Sequence, residues 1–200
     1  MATRDPEATK QRILDAALRE FSDKGIAGAR VDAIAARANV NKRMLYYYFG
    51  SKEGLFREIL QRRIDESSFA FRDSDVAGRG RLSRRQADVA RDRDYVRLMA
   101  WEALECGATH PVDDSPRREL FKRWIEAVEA EQRAGNVPPE LDAAQLVLSE
   151  LCLVLGPLMV PQMTRLITGC GPTSPKQLER RAAFLDALER RIEAPQHVAG

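Results

Sequence analysis

The chain has 200 residues, of which 44% are hydrophobic and 31% charged, and its formal net charge is +2. This composition supports a folded core and excludes a disordered chain and a general polycation. The charge is uneven, because residues 1–63 carry 13 basic and 8 acidic side chains, a balance of +5 that leaves −3 for the remainder. A basic N-terminal region is typical of a module that binds a polyanion.

Cysteine usage and hydropathy indicate the compartment. Cys106, Cys152 and Cys170 are scattered and odd in number, which favours free thiols in a reducing compartment over a disulfide framework. The N-terminus has no apolar signal core. The longest apolar run, Leu151–Val160, has about half the length of a membrane-spanning helix. We therefore expect a cytoplasmic protein without a membrane partner.

The first predicted helix begins at Asp5-Pro6, where Asp is a good N-cap and Pro is tolerated in the first helical position. Gly25 is predicted to end it. Between these points, apolar residues recur at intervals of three and four, so one face of the helix is buried. The residues on this face are Ile13, Leu14, Ala17, Leu18 and Phe21.

The stretch Val31–Lys52 predicts two short helices joined by a tight turn. The first runs from Val31 to about Arg37 and the second from Lys42 to Phe49. Asn39 tolerates the left-handed backbone of such a turn, and Asn41 is a good N-cap for the second helix. The outward face of the second helix combines cations and phenols, which suit phosphates and base edges. This pattern is typical of a DNA-binding helix-turn-helix.

Further helices are predicted along the rest of the chain. Ser51 caps a helix over Lys52–Asp65, which closes a three-helix core. Ser67–Ser83 is loop-like. Arg84–Cys106 is predicted to be a helix bent near Arg91–Asp94, and another helix runs from Ser115-Pro116 to the Gly135–Pro139 turn.

The segment Leu141–Met163 is apolar nearly all round, with a kink predicted at Gly156-Pro157. A helix that is apolar on every side must be covered on every side. We expect that a second copy of the chain covers one face of it. After a loop, Pro175–Glu193 forms the last helix. Since no strand pattern occurs, the predicted fold class is all-α.

The order of a first helix ending at Gly25, followed by VDAIAARANVNKRMLYYYFGSKEGLF, resembles the DNA-binding domain of the TetR family of bacterial transcriptional regulators. The resemblance covers about residues 8–60. It implies a homodimer with an N-terminal three-helix head. It also implies a C-terminal helical body that dimerises through its last two long helices and encloses a small-molecule pocket. The expected domains are residues 1–50, 51–194 and a tail, 195–200.

Matching positions in the family assign the DNA contacts. Asn41, Lys42 and Arg43 are expected at the start of the recognition helix, facing the major groove. Tyr46, Tyr47, Tyr48 and Lys52 are expected to hold phosphates, although at least one tyrosine of the run is expected to be a packing residue.

The chain departs from the family pattern at Arg30, where the family usually has a capping Ser or Thr, and at Asn39, where it usually has Gly. It also departs at Arg43, where the family often has Gly. Arg30 is still expected to bind a phosphate, although it replaces the usual capping residue. Since arginine binds guanine bidentately, Arg43 is expected to read a G·C pair.

The body carries two further sets of candidates. Met adapts to varied ligands and Trp offers flat surfaces, so both could line a pocket, although each alone is also typical of plain core. Glu102 is the polar candidate for the pocket, with a surface carboxylate as the alternative. The pocket set is Met99, Trp101, Glu102, Trp124, Cys152, Met159 and Met163. The predicted dimer interface is Leu148, Leu151, Leu155, Leu178, Ala182, Leu185 and Leu188.

No catalytic constellation is found, and the two histidines, His110 and His197, lie far from the cysteines. No metal spacing or cofactor motif is present, so we expect neither an enzyme nor a cofactor. The favoured function is a ligand-responsive transcriptional repressor that a small molecule releases from an inverted-repeat operator in double-stranded DNA. The alternative is a helical ligand-binding or interaction module without DNA binding, and the choice between repressor and activator stays open.

Overall fold

The structure is a computed structural model that describes residues 5–66, 80–106 and 115–192. These residues form helices and no strands, which confirms the all-α fold class. The helices are α1 (Pro6–Gly28), α2 (Val31–Ala38), α3 (Lys42–Phe49), α4 (Lys52–Glu66), α5 (Arg81–Arg91), α6 (Arg93–Cys106), α7 (Ser115–Arg133), α8 (Ala143–Met159), α9 (Pro161–Thr168) and α10 (Pro175–Ile192).

The predicted caps and turns of the N-terminal helices are confirmed. The Asp5 carboxylate accepts a hydrogen bond from the Glu7 N–H at 3.0 Å. Gly25, with φ +70°, interrupts α1, which resumes for one turn to Gly28. Asn39 lies in the left-handed region with φ 53° and ψ 50°. The Asn41 carboxamide accepts a hydrogen bond from the Arg43 N–H at 2.9 Å, so it caps α3 as predicted.

Two predictions for the C-terminal helices need correction. The helix predicted over Arg84–Cys106 is two helices, since the predicted bend is a full break at Asp92. The segment predicted as one helix over Leu141–Met163 with a kink at Gly156-Pro157 is also two helices, since α8 continues through Pro157 and ends at Met159. The chain instead turns by 87° between α8 and α9. Pro161 explains this position, since a proline disfavours the helical conformation of the preceding residue. Val160 accordingly has φ −123° and ψ 63°.

The helices pack into two compact units, and α1–α4 with α6 form the first. Helix α1 lies in the middle of this unit and contacts α2, α4 and α6. Phe21 of α1 meets Phe56 of α4 edge-on, with 5.3 Å between ring centroids. The core that fixes α2 and α3 on α1 consists of Ile13, Leu14, Ala17, Phe21, Ile34, Ala35, Leu45, Leu55, Phe56, Ile59, Leu60 and Leu98.

The head that is expected to end at residue 50 therefore packs with α4 and with Leu98 of α6. The reason is hydrophobic, because Leu55, Phe56 and Leu60 of α4 are almost fully buried in the same core. The division at residues 50 and 194 stays a prediction. Residues 67–79 of the predicted loop Ser67–Ser83, the segment 107–114 with His110, and the predicted tail over 195–200 with His197 lie outside the described residues. The loop prediction is wrong for residues 81–83, which begin α5.

The second unit contains α5 and α7–α10. Helix α5 packs against α8 and α10, and α7 packs against α8. Its interior holds charged side chains in pairs: Arg81 Nη1 lies 2.6 Å from Glu150 Oε1, and Arg81 Nε lies 3.4 Å from Glu189 Oε1. Buried charges need such partners, so these residues tie α5, α8 and α10 together. No single helix of the described ranges is long and apolar enough to span a membrane, and only the bent pair α8–α9 reaches the required length and composition.

Candidate nucleic-acid interface

Helix α3 is anchored by one side and leaves the other to solvent. Leu45 is buried in the core, while Met44, Tyr48 and Phe49 pack partly against it. On the other side, Lys42, Arg43 and Tyr46 are exposed, and Tyr47 has 80% of its surface accessible. An exposed helix that carries cations and phenols can donate hydrogen bonds to phosphates and base edges.

The start of α3 combines a cap with two cations. The Lys42 ammonium lies 2.9 Å from Asp32 Oδ1 of α2. This hydrogen bond raises the pKa of Lys42, so the side chain stays cationic. Because both groups are well exposed, a phosphate can take the place of Asp32. The Arg43 side chain is exposed at the next position.

A second basic group lies where the chain enters α2. Arg30 occupies the N-cap position of α2 but makes no side-chain capping bond. The Lys52 ammonium donates to the Ala29 carbonyl at 3.4 Å, which brings this lysine to the residue next to Arg30. The structure thus places Arg30 and Lys52, two of the predicted phosphate ligands, at one corner of the unit.

Glu20 supports this corner, although the sequence reasoning did not identify it. Its side chain is 2% exposed, and its carboxylate accepts hydrogen bonds from Lys24 Nζ at 2.7 Å and the Arg30 N–H at 3.4 Å. Arg37 Nη1 lies 3.8 Å from the other carboxylate oxygen. The hydrogen bond from Lys24 is the main cause that lowers the pKa of Glu20. The position of Glu20 three residues after Ala17, on the apolar stripe of α1, is the sequence signal that indicates burial.

The three tyrosines of α3 differ in their surroundings. Tyr48 is half-buried and lies between Tyr47 and Phe49, with ring centroids 5.2 Å and 6.1 Å away. Tyr46 and Tyr47 project outward. Tyr48 therefore has the environment of the expected packing tyrosine, and its phosphate contact stays a prediction.

Helix α6 holds the end of α1 through polar contacts. The Ser22 carbonyl accepts hydrogen bonds from Arg97 Nε at 2.6 Å and Trp101 Nε1 at 3.3 Å. The Glu105 carboxylate accepts from the N–H groups of Ile26 and Ala27 at 3.1 Å and 3.2 Å, so it caps the turn that follows Gly25. A Cβ on Gly25 would lie 2.7 Å from the Trp101 ring, which explains a glycine there.

The predicted pocket residues divide between the two units. Met99, Trp101 and Glu102 lie on α6 in the first unit and are each partly buried. In the second unit, Trp124 is buried, with the Arg85 guanidinium 5.5 Å from its ring centroid. Met159 is partly buried, whereas Cys152 and Met163 are exposed. A pocket role for these seven residues stays a prediction.

The predicted dimer-interface residues also differ in exposure. Leu155 and Leu185 are buried within the subunit, whereas Leu148 is 52% exposed. Phe184, which flanks this set, is 50% exposed. Leu151, Leu178, Ala182 and Leu188 are partly exposed. Helices α8 and α10 thus each expose a large apolar side chain, Leu148 and Phe184, and the interface itself stays a prediction.

Comparison with known proteins identifies two matching families. Residues 13–59 match the family described as bacterial regulatory proteins, tetR family, and residues 82–190 match the tetracyclin repressor-like C-terminal domain. The HTH-type transcriptional repressor SCO4008 of Streptomyces coelicolor is 35% identical over 171 residues, which are 86% of this chain and 89% of that protein.

Two further comparisons concern the N-terminal helices and the whole fold. The HTH-type transcriptional repressor NicS of Pseudomonas putida is 47% identical over 55 residues, 28% of this chain and 26% of that protein. The crystal structure of SCO4942 from Streptomyces coelicolor superimposes with a TM-score of 0.77 at 26% identity, and the match covers 94% of this chain and 99% of that one.

Proposed function

The chain belongs to the TetR family of bacterial DNA-binding transcriptional regulators, and we propose that it is a homodimeric repressor which a small molecule releases from its operator. The observation that carries this proposal is the exposed face of α3, with Lys42, Arg43 and Tyr47 uncovered beside a second basic corner at Arg30. SCO4008 and NicS, which are similar to this chain, are both transcriptional repressors. The family consists of regulators rather than enzymes, and we assign this chain no catalytic step.

In this proposal, α3 enters the major groove. Asn41, Lys42 and Arg43 face the groove, and Arg43 binds a guanine through its O6 and N7 atoms. On the flanks, Lys42 exchanges Asp32 for a phosphate when DNA binds. Further phosphates are held by Arg30, Tyr46, Tyr47, Tyr48 and Lys52.

The dimer forms through α8 and α10, whose outer faces expose Leu148 and Phe184. Burying these side chains in a four-helix bundle removes apolar surface from water and stabilises the pair of subunits. Two recognition helices then reach successive major grooves roughly 34 Å apart, so the operator is an inverted repeat. A single recognition helix reads too few base pairs to select one site.

The small molecule acts through the helical body, and the seven predicted pocket residues are the candidates for contacts with it. Helix α6 carries Trp101 and also holds the end of α1 through Arg97 and Glu105. A ligand that binds one arrangement of α6 more tightly than another shifts the population of head conformations. The regulator acts in the cytoplasm, where its DNA lies.

The test is a fluorescence anisotropy titration of duplexes from the region beside the protein's own gene. We expect the wild type to bind an inverted repeat and the logarithm of its affinity to fall steeply with the logarithm of salt concentration. Lys42→Ala and Arg43→Ala are expected to weaken binding. Lys176→Ala, which changes an exposed lysine on α10, serves as the control. If the wild type binds no duplex selectively at any salt concentration, the chain is instead a helical module without DNA binding.

A further inference from the structure

A groove on the first unit runs from the start of α3 to α1. It has a volume of about 390 Å³, and Ala35 and Ala36 of α2 contribute to its lining. Because these side chains are small, the groove stays open between the two flanking helices. Asn41 and Met44 line one side, and Thr9 and Arg12 line the other. The groove therefore connects the start of α3, which is predicted to read DNA, with Arg12, which is not among the predicted DNA contacts.

The Arg12 guanidinium is held at one end by a hydrogen bond and has further N–H groups that can bind an anion. Its Nη2 donates to Thr9 Oγ1 at 3.2 Å, and Thr9 Oγ1 donates to the Asp5 carbonyl at 3.0 Å. Thr9 is buried, so this chain of hydrogen bonds holds one end of the guanidinium in place. An arginine has five N–H donors, and among the described residues no carboxylate pairs with those of Arg12. The remaining donors are available to an acceptor in the groove.

The surroundings add positive charge. Arg12 also lines a neighbouring groove of about 220 Å³, together with Asp15, Arg19 and Arg37. Asp15 is the one acid of that lining, and its carboxylate already accepts a hydrogen bond from Gln11 Nε2 at 2.9 Å. Glu20 balances Arg37 at 3.8 Å. The other two arginines, Arg12 and Arg19, stand against one aspartate, so a positive charge remains beside Arg12 that attracts a polyanion.

We propose that Arg12, with Asn39 and Asn41 at the other side of the groove, binds a backbone phosphate of DNA beside the bases that α3 reads. This inference rests on the proposed function and adds one phosphate contact per subunit to it. Two features of the groove identify DNA as the occupant. The groove is continuous with the start of α3, and its charged lining residue is a cation suited to bidentate phosphate binding.

Arg19 is the matched control because it is an exposed arginine of the same helix that lies outside the groove with Asn41. Both arginines are exposed residues on the same stripe of α1, seven positions apart. Seven residues of helix span about 10.5 Å. Arg19 lines the neighbouring groove with Arg12 but does not line the groove that contains Asn41. Arg19 therefore adds to the positive charge of the head but does not contact the proposed phosphate.

The experiment compares wild type, Arg12→Gln and Arg19→Gln by anisotropy on an operator duplex and on a duplex of unrelated sequence. Loss of one phosphate contact in each subunit is expected to reduce the salt slope of Arg12→Gln by about 1.8 and its affinity by roughly tenfold on both duplexes. A neutral methylphosphonate is then placed at each backbone position in turn. At one flanking position it should weaken the wild type and Arg19→Gln but leave Arg12→Gln unchanged.

Two results overturn the inference alone. The first is an equal loss of DNA affinity in Arg12→Gln and Arg19→Gln, which would indicate only the overall positive charge of the head. The second is that no methylphosphonate position leaves the affinity of Arg12→Gln unchanged while weakening the wild type. In both cases Lys42→Ala still weakens operator binding, so the proposed function survives. If the wild type itself binds no duplex, both proposals fail together. Unchanged circular dichroism spectra of the variants confirm that the head remains folded in every arm of the experiment.

Discussion

Replacing Glu20 tests how much a buried carboxylate stabilises the head. Its carboxylate is buried and joins α1 to the start of α2, because it accepts hydrogen bonds from Lys24 and from the Arg30 N–H. In Glu20→Ala, the Arg30 N–H loses this acceptor, and a space opens beside α1. Glu20→Gln keeps the volume and one acceptor oxygen but removes the charge. The two variants therefore separate packing from electrostatics.

The structure sets the size of each effect. Losing charge-assisted hydrogen bonds to a buried group costs about 1.5–3 kcal/mol. The one deleted methylene adds roughly 1 kcal/mol. Lys24 and Arg37 are 49% and 45% exposed, so their charges add little beyond the hydrogen bonds. We expect Glu20→Ala to lower the free energy of unfolding by about 2–4 kcal/mol and Glu20→Gln by about 1–2 kcal/mol.

The assay is urea unfolding followed by circular dichroism at several pH values. Since the folded protein lowers the pKa of Glu20, the stabilisation by its charge is complete above the ordinary glutamate pKa of about 4.3. It is lost as the pH falls through the lower folded value. The difference between wild type and Glu20→Gln should therefore be constant near neutral pH and shrink in acid.

Glu179→Ala removes an exposed glutamate of α10 and should change the free energy of unfolding by less than about 0.5 kcal/mol. If Glu20→Ala costs no more than this control, the Glu20 carboxylate does not stabilise the head. If the difference between wild type and Glu20→Gln grows as the pH falls below about 4, the pKa of Glu20 is raised rather than lowered, which contradicts the described hydrogen bonds.

Variants at four further positions probe other contacts. Gly25→Ala is expected to lower the melting temperature by several degrees, because its Cβ would meet the Trp101 ring at a backbone φ of +70°; a neutral effect would contradict the close approach. Glu105→Gln should cost about 1 kcal/mol by weakening the hydrogen bonds to Ile26 and Ala27, and urea unfolding that matches wild type would disprove the cap. Asn39→Ala should cost about 1 kcal/mol because the left-handed turn disfavours alanine, whereas Asn39→Gly should not. Leu148→Arg should yield a folded monomer in analytical ultracentrifugation, and a dimer that persists would exclude α8 from the interface.

Local sequence signals predicted the head well. The caps at Asp5 and Asn41, the left-handed Asn39 and the limits of α2 and α3 follow from side chains that act on their own backbone, so they are readable from the sequence. The family resemblance drawn from the same stretch is confirmed by matches over residues 13–59 and 82–190.

Contacts between residues that lie far apart in the sequence could not be predicted from the sequence. The sequence suggests no reason for Glu20 to meet the Arg30 N–H, or for Glu105 to cap the turn after Gly25, because each pairing depends on how α1 packs. Leu155 and Leu185 illustrate the same limit. Periodicity identified them as apolar positions, but whether such a position faces its own subunit or a partner depends on the whole arrangement of helices.

Selection of binding sites from a pool of random duplexes by the wild type and Arg43→Ala tests most directly whether α3 reads DNA in a homodimer. If α3 reads DNA in a homodimer, the wild type enriches an inverted repeat whose half-sites lie one helical turn, roughly 34 Å, or a multiple of it apart. Each half-site then contains a guanine that Arg43→Ala no longer requires. If the wild type enriches no symmetric site after repeated rounds, DNA reading by a homodimer is wrong. If Arg43→Ala keeps the same guanine preference, the proposed role of Arg43 is wrong.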